Sequence, residues 1–470
     1  MQMMKKWQEP LFAIGGFGTS FMYTVQSTYL LTRYLPAETD LNAGRAVLLV
    51  VPWILSMLLF ISRMLDGVVD IPIASWTDRM FRKTGKRYPA ILIGMAPMIL
   101  SYIAMWIAPV SDMQSIWNIV WVCGLSLVYF FSYTLVAVPY LSTLSDMVPD
   151  QRSRVRVASW QAFFNTIGYC LAYTVVPILR DILTPAEGAD RLQIGMTKTA
   201  LFLSPAMLLM LIPVFFVFRK NSVDATGTAP QNDEVKMTMW NSLKTAVKNK
   251  SFLWYLLSYS LSYFGLMLFI GGMDYINRVI LGLTEGWKIA VMNTAAFAPI
   301  PLMLWLFNKI NRKWGVKWAF RTGVLCFIVA MAIFASGWTK FVGETMPFYI
   351  GMIAGTFGSF AIGAFFTVPY AMPSQIAAEE AQRTGVNRSG MYFAVQGFVN
   401  QLVGALAGSV ILANLVAPGF IGFGMFDTGA IFIMPIVIVA CIVSYIFAGK
   451  LPGYSKKSKT AASADDSVQA

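Results

Sequence analysis

Twelve stretches of this chain are apolar over about 20 residues or more, the length that carries a helix across the roughly 30 Å hydrocarbon core of a bilayer. They run over 9–33, 44–75, 88–108, 115–143, 156–180, 196–218, 251–281, 287–308, 317–338, 345–376, 389–413 and 424–449. In hydrocarbon each backbone N–H and C=O must find its partner within the protein, so this pattern predicts an all-α bundle of twelve membrane-spanning helices. Composition agrees: 57% of the 470 residues are hydrophobic and 13% charged, against about 25% charged in a soluble domain. The opening MQMMKKWQEP is too polar for a cleavable signal, so the first run is read as span 1.

The charges sort by side. With the N-terminus inside, 27 Lys and Arg fall in the tails and even-to-odd loops. Eight fall opposite: Arg33, Arg45, Arg180, Arg191, Lys198, Arg278, Lys288 and Lys340. Arg63 remains inside span 2. Basic loops stay in the cytoplasm, which places both termini there, in a multi-pass protein of a cell membrane, the bacterial inner membrane being the expected one. The net charge of +13 is thus topological and marks no nucleic-acid partner.

The chain has no histidine, which excludes His-based triads, proton relays and metal ligands. Cys123, Cys170, Cys326 and Cys441 each sit alone in an apolar run, as small buried residues rather than a disulfide framework. A membrane aspartyl protease needs two carboxylates on facing helices and a GxGD motif, which does not occur. No enzyme activity is expected.

The long polar stretch at 219–250 divides the spans six and six: a bundle over 1–218, a cytoplasmic middle loop, a second bundle over 251–450, and a polar tail over 451–470 read as disordered. The halves resemble each other at an offset of 230. TDRMFRKTGKR carries Asp78, Arg82, Lys83 and Gly85; FNKINRKWGVK carries Asn308, Arg312, Lys313 and Gly315. Val138-Pro139-Tyr140 matches Val368-Pro369-Tyr370 at the same offset. Parallel six-span repeats related by a pseudo-two-fold axis hold substrate between the halves near mid-membrane.

These features resemble the major facilitator superfamily, and within it the melibiose-permease-like glycoside–pentoside–hexuronide:cation symporters. The resemblance rests on RMLDGVVDIPIASWTDRMFRKTGKRYPAILIG (63–94), YTLVAVPYLSTLSDMVPDQRSRVRVASWQ (133–161) and PSQIAAEEAQRTGVNRSGMYFAVQGFVNQLVGAL (373–406). It implies cation (H⁺ or Na⁺)-coupled symport of a sugar, glycoside or uronide by alternating access, in a protein acting as a monomer, with no cofactor beyond the coupling cation.

Arg63, Asp66 and Asp70 lie inside span 2, where a charge costs about 2.5–3.5 kcal/mol to insert. The aspartates are four apart on one helix face and would repel, which a shared proton or a bound Na⁺ relieves. A salt-bridged cluster that holds the bundle is the structural alternative. The family resemblance makes Asp66 and Asp70 the cation ligands, a metal site only if the cation is Na⁺, with Thr134 contributing. Where the family carries an Asn, an Asp or Asn, a Lys and an Asp, this chain has Val69, Ala137, Gln401 and Ser20. Fewer oxygen ligands suit a proton, which needs no coordination shell.

By the superfamily layout the cavity is lined by Ser20, Tyr23 and Gln26 in span 1, Tyr133 in span 4, and Trp160, Gln161 and Asn165 in span 5. The second half offers Phe366 and Tyr370 in span 10 and Gln396, Asn400 and Gln401 in span 11. Amides and aromatics suit a carbohydrate; interhelical bonding is the bland alternative. Asp274 and Arg278 lie near the outer end of span 7 and are expected to form a surface pair. Asp78, Arg82, Arg87, Arg152, Arg154, Glu379, Arg383 and Arg388, in cytoplasmic loops, read as a gate whose ion pairs form in one state and break in the other. A facilitator, or a carrier of an amphipathic lysolipid-like or other small organic substrate, is the alternative function.

Overall fold

A computed structural model describes residues 5–84, 86–111, 113–147, 151–218, 248–384, 389–418 and 428–451. Within its helices the side chains of Asp66, Asp70, Asp78, Arg82, Arg152, Arg154 and Arg383 are not among the described residues, and Arg388 lies outside them altogether.

The spans are α1 (Gln8–Tyr34), α3 (Pro52–Thr84), α4 (Tyr88–Met105), α5 (Ile116–Met147) and α6 (Gln151–Leu183), with a short helix α2 (Glu38–Asn42) in the first outer loop. α7 (Arg191–Leu203) continues through a tighter turn at Ser204–Met210 and a π-turn at Val214–Phe218. α8 (Lys250–Tyr275) ends in a π-segment, Ile276–Ile280. Then come α9 (Gly286–Phe297), α10 (Ile300–Trp314), α11 (Val316–Ser336), α12 (Met346–Thr384), α13 (Ser389–Ala405, prolonged to Leu415) and α14 (Ile433–Gly449). No strand occurs among the described residues.

Ten of these spans are long and apolar enough to cross a membrane by composition alone. The other two expected spans are α1, of 27 residues and more polar, and α3, of 33 residues, whose stretch Pro52–Leu65 is apolar. They are the helices that carry Ser20, Tyr23 and Gln26, and Arg63, Asp66 and Asp70. Large apolar side chains such as Trp53, Leu100, Trp117 and Leu302 stay exposed, as they do when the outer solvent is lipid rather than water.

Two compact units form. The first takes Met1–Glu234 with Ile270–Thr294 and Gly408–Ala430; the second takes Val235–Phe269, Ala295–Ala407 and Ile431–Ala470. In the first, α4 packs on α5 and α1 on α6; in the second, α11 packs on α12 and α14. The α4–α5 and α11–α12 pairs are repeat-related. Close approach in α1 depends on absent side chains: a Cβ on Gly18 would meet the Ala206 carbonyl oxygen at 2.6 Å, and one on Gly16 would meet Asn165 Oδ1 at 2.9 Å.

Candidate functional site

The first group of polar and aromatic residues gathers on α1, α3 and α5. Arg63 Nη1 donates to the Tyr23 hydroxyl at 2.6 Å. Its guanidinium carbon lies 5.4 Å from the Tyr23 ring centre and 4.7 Å from that of Phe130. The Tyr23 and Tyr133 rings are 5.5 Å apart, and Tyr129 stands 6.2 Å from Tyr133. Thr134, next along α5, is buried. An arginine faced by electron-rich rings keeps its charge in an apolar setting, because ring faces offset part of its lost hydration. Asp66 and Asp70 follow Arg63 along the same continuous helix; their side chains lie outside the described residues.

Span 5 buttresses this group. Ser20 Oγ donates to Asn165 Oδ1 at 3.0 Å. Tyr140 donates to the Phe12 carbonyl at 2.7 Å and accepts from the Gly16 amide at 3.1 Å and from Gln161 Nε2 at 3.4 Å. Gln161 and Asn165 therefore hold α1 in place as much as they face a ligand. Gln26 is buried, and its Oε1 has no hydrogen-bond partner among the described residues. Trp160 is exposed, against Phe163 and Phe164.

In the second unit, Gln396 is buried and accepts from the Tyr255 hydroxyl at 2.8 Å. Asn400, one turn on, carries a buried Oδ1 with no partner among the described residues; Gln401 is half-buried. On α12, Phe366 is half-buried and Tyr370 is 72% exposed.

A second cluster belongs wholly to the first unit and overturns the surface reading of Asp274 and Arg278. The Asp274 side chain is 2% exposed and that of Arg180 4%, and Arg180 Nη1 reaches Asp274 Oδ2 at 3.3 Å. Arg278 Nε lies 3.4 Å from Asp274, and its Nη1 3.7 Å from Asp40 Oδ2. Arg45 Nη2 binds Asp40 Oδ1 at 2.7 Å. Burial pushes the Asp40 carboxyl above its ordinary range, and Arg45 pulls part of that back. Nearby, Gln193 Nε2 donates to the carbonyls of Arg33 and Val47 at 3.0 and 2.7 Å. Asn293 Nδ2 donates to the Tyr173 carbonyl at 2.8 Å and its Oδ1 accepts from Asn277 at 2.9 Å. The Asp274–Arg278 pair is buried against Arg180 of α6 and Asp40 of α2, with which it forms ion pairs. The surface reading took position along the span as exposure. The available signal was local: Asp274 and Arg278 lie four apart inside the apolar run 251–281, where a charged pair needs partners.

Of the residues expected to form a gate, Asp78, Arg82, Arg152, Arg154, Arg383 and Arg388 fall outside the described side chains. Arg87 packs over the Phe81 ring at 4.4 Å. Glu379 is exposed, whereas its neighbour Glu380 is buried and accepts from the Tyr392 hydroxyl, which in turn accepts from Asn249 Nδ2 at 2.8 Å.

A wholly helical membrane bundle with internal polar clusters on several spans has the architecture of a membrane carrier, and the structural relatives share it. The chain matches the family model for MFS/sugar transport proteins over residues 11–449 and belongs to that family, one of transporters rather than enzymes. It is 28% identical over 183 residues to the uncharacterized symporter YnaJ of Bacillus subtilis (strain 168), covering 38% of this chain and 36% of that one. It is 21% identical over 429 residues to the glucuronide carrier protein homolog of Escherichia coli (strain K12), covering 87% of this chain and 83% of that one. The fold is shared with a mutant form of the nucleoside transporter NupG, at TM-score 0.61 and 13% identity over 94% of this chain and 99% of that one.

Proposed function

We propose that this protein is a secondary transporter that couples entry of a glycoside or uronide to a cation, with a proton as the coupling ion. The observation that carries this reading is the placement of Arg63 between Tyr23 and Phe130, beside Tyr133, on the helix that bears Asp66 and Asp70. A cation held in an aromatic pocket three residues before a carboxylate supplies a counter-charge that a proton or a sodium ion can compete with. Val69 and Ala137 remove oxygen ligands that a sodium shell needs, which favours the proton. In the first unit Tyr23, Tyr133 and Gln26 would orient the sugar by ring stacking and amide hydrogen bonds, Gln26 having a buried carbonyl oxygen unpartnered among the described residues.

The two six-span halves, 1–218 and 251–450, would rock about the substrate, with the termini in the cytoplasm of the inner membrane and the chain working as a monomer. The buried Arg180–Asp274–Arg278–Asp40 chain joins spans 5 and 7 to the first outer loop and would serve as the outer gate.

The test is uptake into proteoliposomes of a panel of glycosides, pentosides and hexuronides, under a proton gradient, a sodium gradient or neither, for wild type and Asp70→Asn. Proton-driven accumulation that Asp70→Asn abolishes supports the proposal. Equilibration without accumulation, equal in both proteins, makes it a facilitator with structural aspartates. No uptake of any sugar shifts the cargo to an amphipathic substrate.

A further inference from the structure

An open crevice of about 260 Å³ lies between α10, α11 and α12 in the second unit, lined by Met303, Leu306, Ile310, Thr322, Cys326, Thr356, Phe357 and Phe360. Its walls face outward: Leu306 is 38% and Phe357 50% exposed. Its two hydroxyls are already used, Thr322 donating to the Trp318 carbonyl and Thr356 to the Met352 carbonyl, each at 2.9 Å. Both threonine protons are therefore engaged, and apart from those hydroxyls and the Cys326 thiol the lining is apolar. It offers only van der Waals contact, to a hydrocarbon chain.

One end of the crevice is charged. Met303, Leu306, Ile310 and Lys313 recur at the spacing of one helix face, so Lys313 stands one turn beyond Ile310 on the same stripe. On α11, Trp318 precedes Thr322 and Cys326 at four-residue steps and is half exposed. The corner from Lys309 to Arg321 holds five basic residues, Lys309, Arg312, Lys313, Lys317 and Arg321, and no acidic residue occurs anywhere in 286–343. Two of the five have structural work. Lys317 Nζ donates to the carbonyls of Gly449 and Leu451 at the end of α14, and Arg321 lies 4.2 Å over the Tyr445 ring. Lys309, Arg312 and Lys313 are exposed, and among the described residues none of them pairs with a carboxylate. Lys309 and Lys313 rest on Trp305 and Trp314 at 5.2 and 4.9 Å, rings of the kind that anchor at the headgroup level.

The dimensions match one leaflet. From Met303 to Lys313 a helix rises about 15 Å, half the roughly 30 Å hydrocarbon core. The basic end belongs to the cytoplasmic side by the charge sorting, where the anionic lipids reside.

We infer that this crevice is a binding site for an anionic phospholipid of the cytoplasmic leaflet, with one acyl chain in the groove and the phosphate at Lys309, Arg312 and Lys313. The site is separate from the residues proposed to handle cargo and cation, so it stands whatever the substrate is. An occupant here is placed to influence the packing of spans 8, 9 and 10.

Native mass spectrometry of the purified full-length protein tests it, titrating phosphatidylglycerol and phosphatidylcholine of identical chains. The first phosphatidylglycerol is expected to bind about tenfold more tightly than the first phosphatidylcholine. The double variant Lys309→Gln/Lys313→Gln should bring that ratio close to one. Thr356→Trp, which fills the groove, should weaken both lipids while keeping the ratio for whatever binding is left. Glycerol phosphate, which has the charge without the chain, should not compete. Circular dichroism of each variant verifies folding, and Cys326→Phe serves as the groove-filling variant if Thr356→Trp does not fold. A wild-type ratio near one, a ratio unmoved by the lysine changes, or full competition by glycerol phosphate overturns the inference.

Discussion

Spans 2 and 8 occupy equivalent places in the repeat and end in equivalent basic loops, yet they carry opposite chemistry. Span 2 is one continuous helix, α3, with Arg63, Asp66 and Asp70 along it. Span 8 breaks at 298–299 into α9 and α10, and its equivalent residues are Asn293, Ala296 and Ile300. Asn293 keeps a polar role in a neutral form, bonded to Asn277 and Tyr173. Ala296 is buried and packs close to the Gly355 backbone, where a Cβ on Gly355 would come within 3.4 Å of the Ala296 Cβ. One half of the repeat holds charges inside the membrane, and the other spends the same positions on close helix packing. A feature needed only for architecture would serve both halves. The carboxylate pair is confined to span 2, and the coupling proposal is placed there for that reason.

The largest effect should come from Asp70→Asn, which removes gradient-driven accumulation altogether in the proteoliposome assay while leaving the protein folded. Retained accumulation would erase the functional difference between the two spans. Arg180→Ala is the contrasting case, since it also breaks a membrane charge cluster but one with a mainly structural cost. It strands Asp274 without its closest cation, and the expected loss is about 3–5 kcal/mol of stability, read as a fall in Tm. The double change Arg180→Leu/Asp274→Leu should recover most of it.

Ala296→Asp asks whether span 8 can accept what span 2 carries. With Gly355 against it, the added carboxylate should cost about 2.5–3.5 kcal/mol in insertion alone, read as a drop in membrane-inserted yield in a translocation assay. Normal yield would mean that packing does not forbid the charge. The other repeat pair gives a smaller contrast. Tyr140→Phe loses the hydroxyl shared by Phe12, Gly16 and Gln161 and should cost about 1–3 kcal/mol. Tyr370→Phe, at a position 72% exposed, should leave Tm nearly unchanged and be felt in the uptake KM.

The smallest effect concerns pH. The folded-state pKa of Asp40 is raised by burial, so the folded protein binds this proton more readily than the unfolded chain. Its contribution therefore falls as pH rises from about 3.9 through the raised value, and is largest below that window. Asp40→Asn should flatten this part of the Tm–pH curve; an unchanged slope would remove Asp40 as its source.

The candidate residues were legible in the sequence because their signals are local. A charged residue inside an apolar run stands out whatever its neighbours, which is how Arg63 was singled out; Tyr23 and Phe130 face it, and Tyr133 packs on Tyr23. Gln161 and Asn165 were found for the same reason, but sequence could not tell a ligand group from a brace, and their partners are Tyr140 and Ser20. Asp274 and Arg278 were misread because burial at a span's end depends on a partner distant in sequence, here Arg180, 94 residues away.

The sequence by itself determined the helical bundle and its apolar crossing segments, and it carries the loop-charge bias and the matches at a fixed offset from which sidedness and a repeat are expected. Each of these sums over neighbouring residues: hydropathy over 20 positions, basic charge over a loop, matches at a fixed offset. Tertiary structure alone decided which carboxylate meets which arginine, which of two matching tyrosines is buried, and that three helices leave an apolar groove beneath a basic corner. Those outcomes depend on how helices rotate against one another, and a turn of about 100° per residue exchanges a buried face for an exposed one without altering any local pattern.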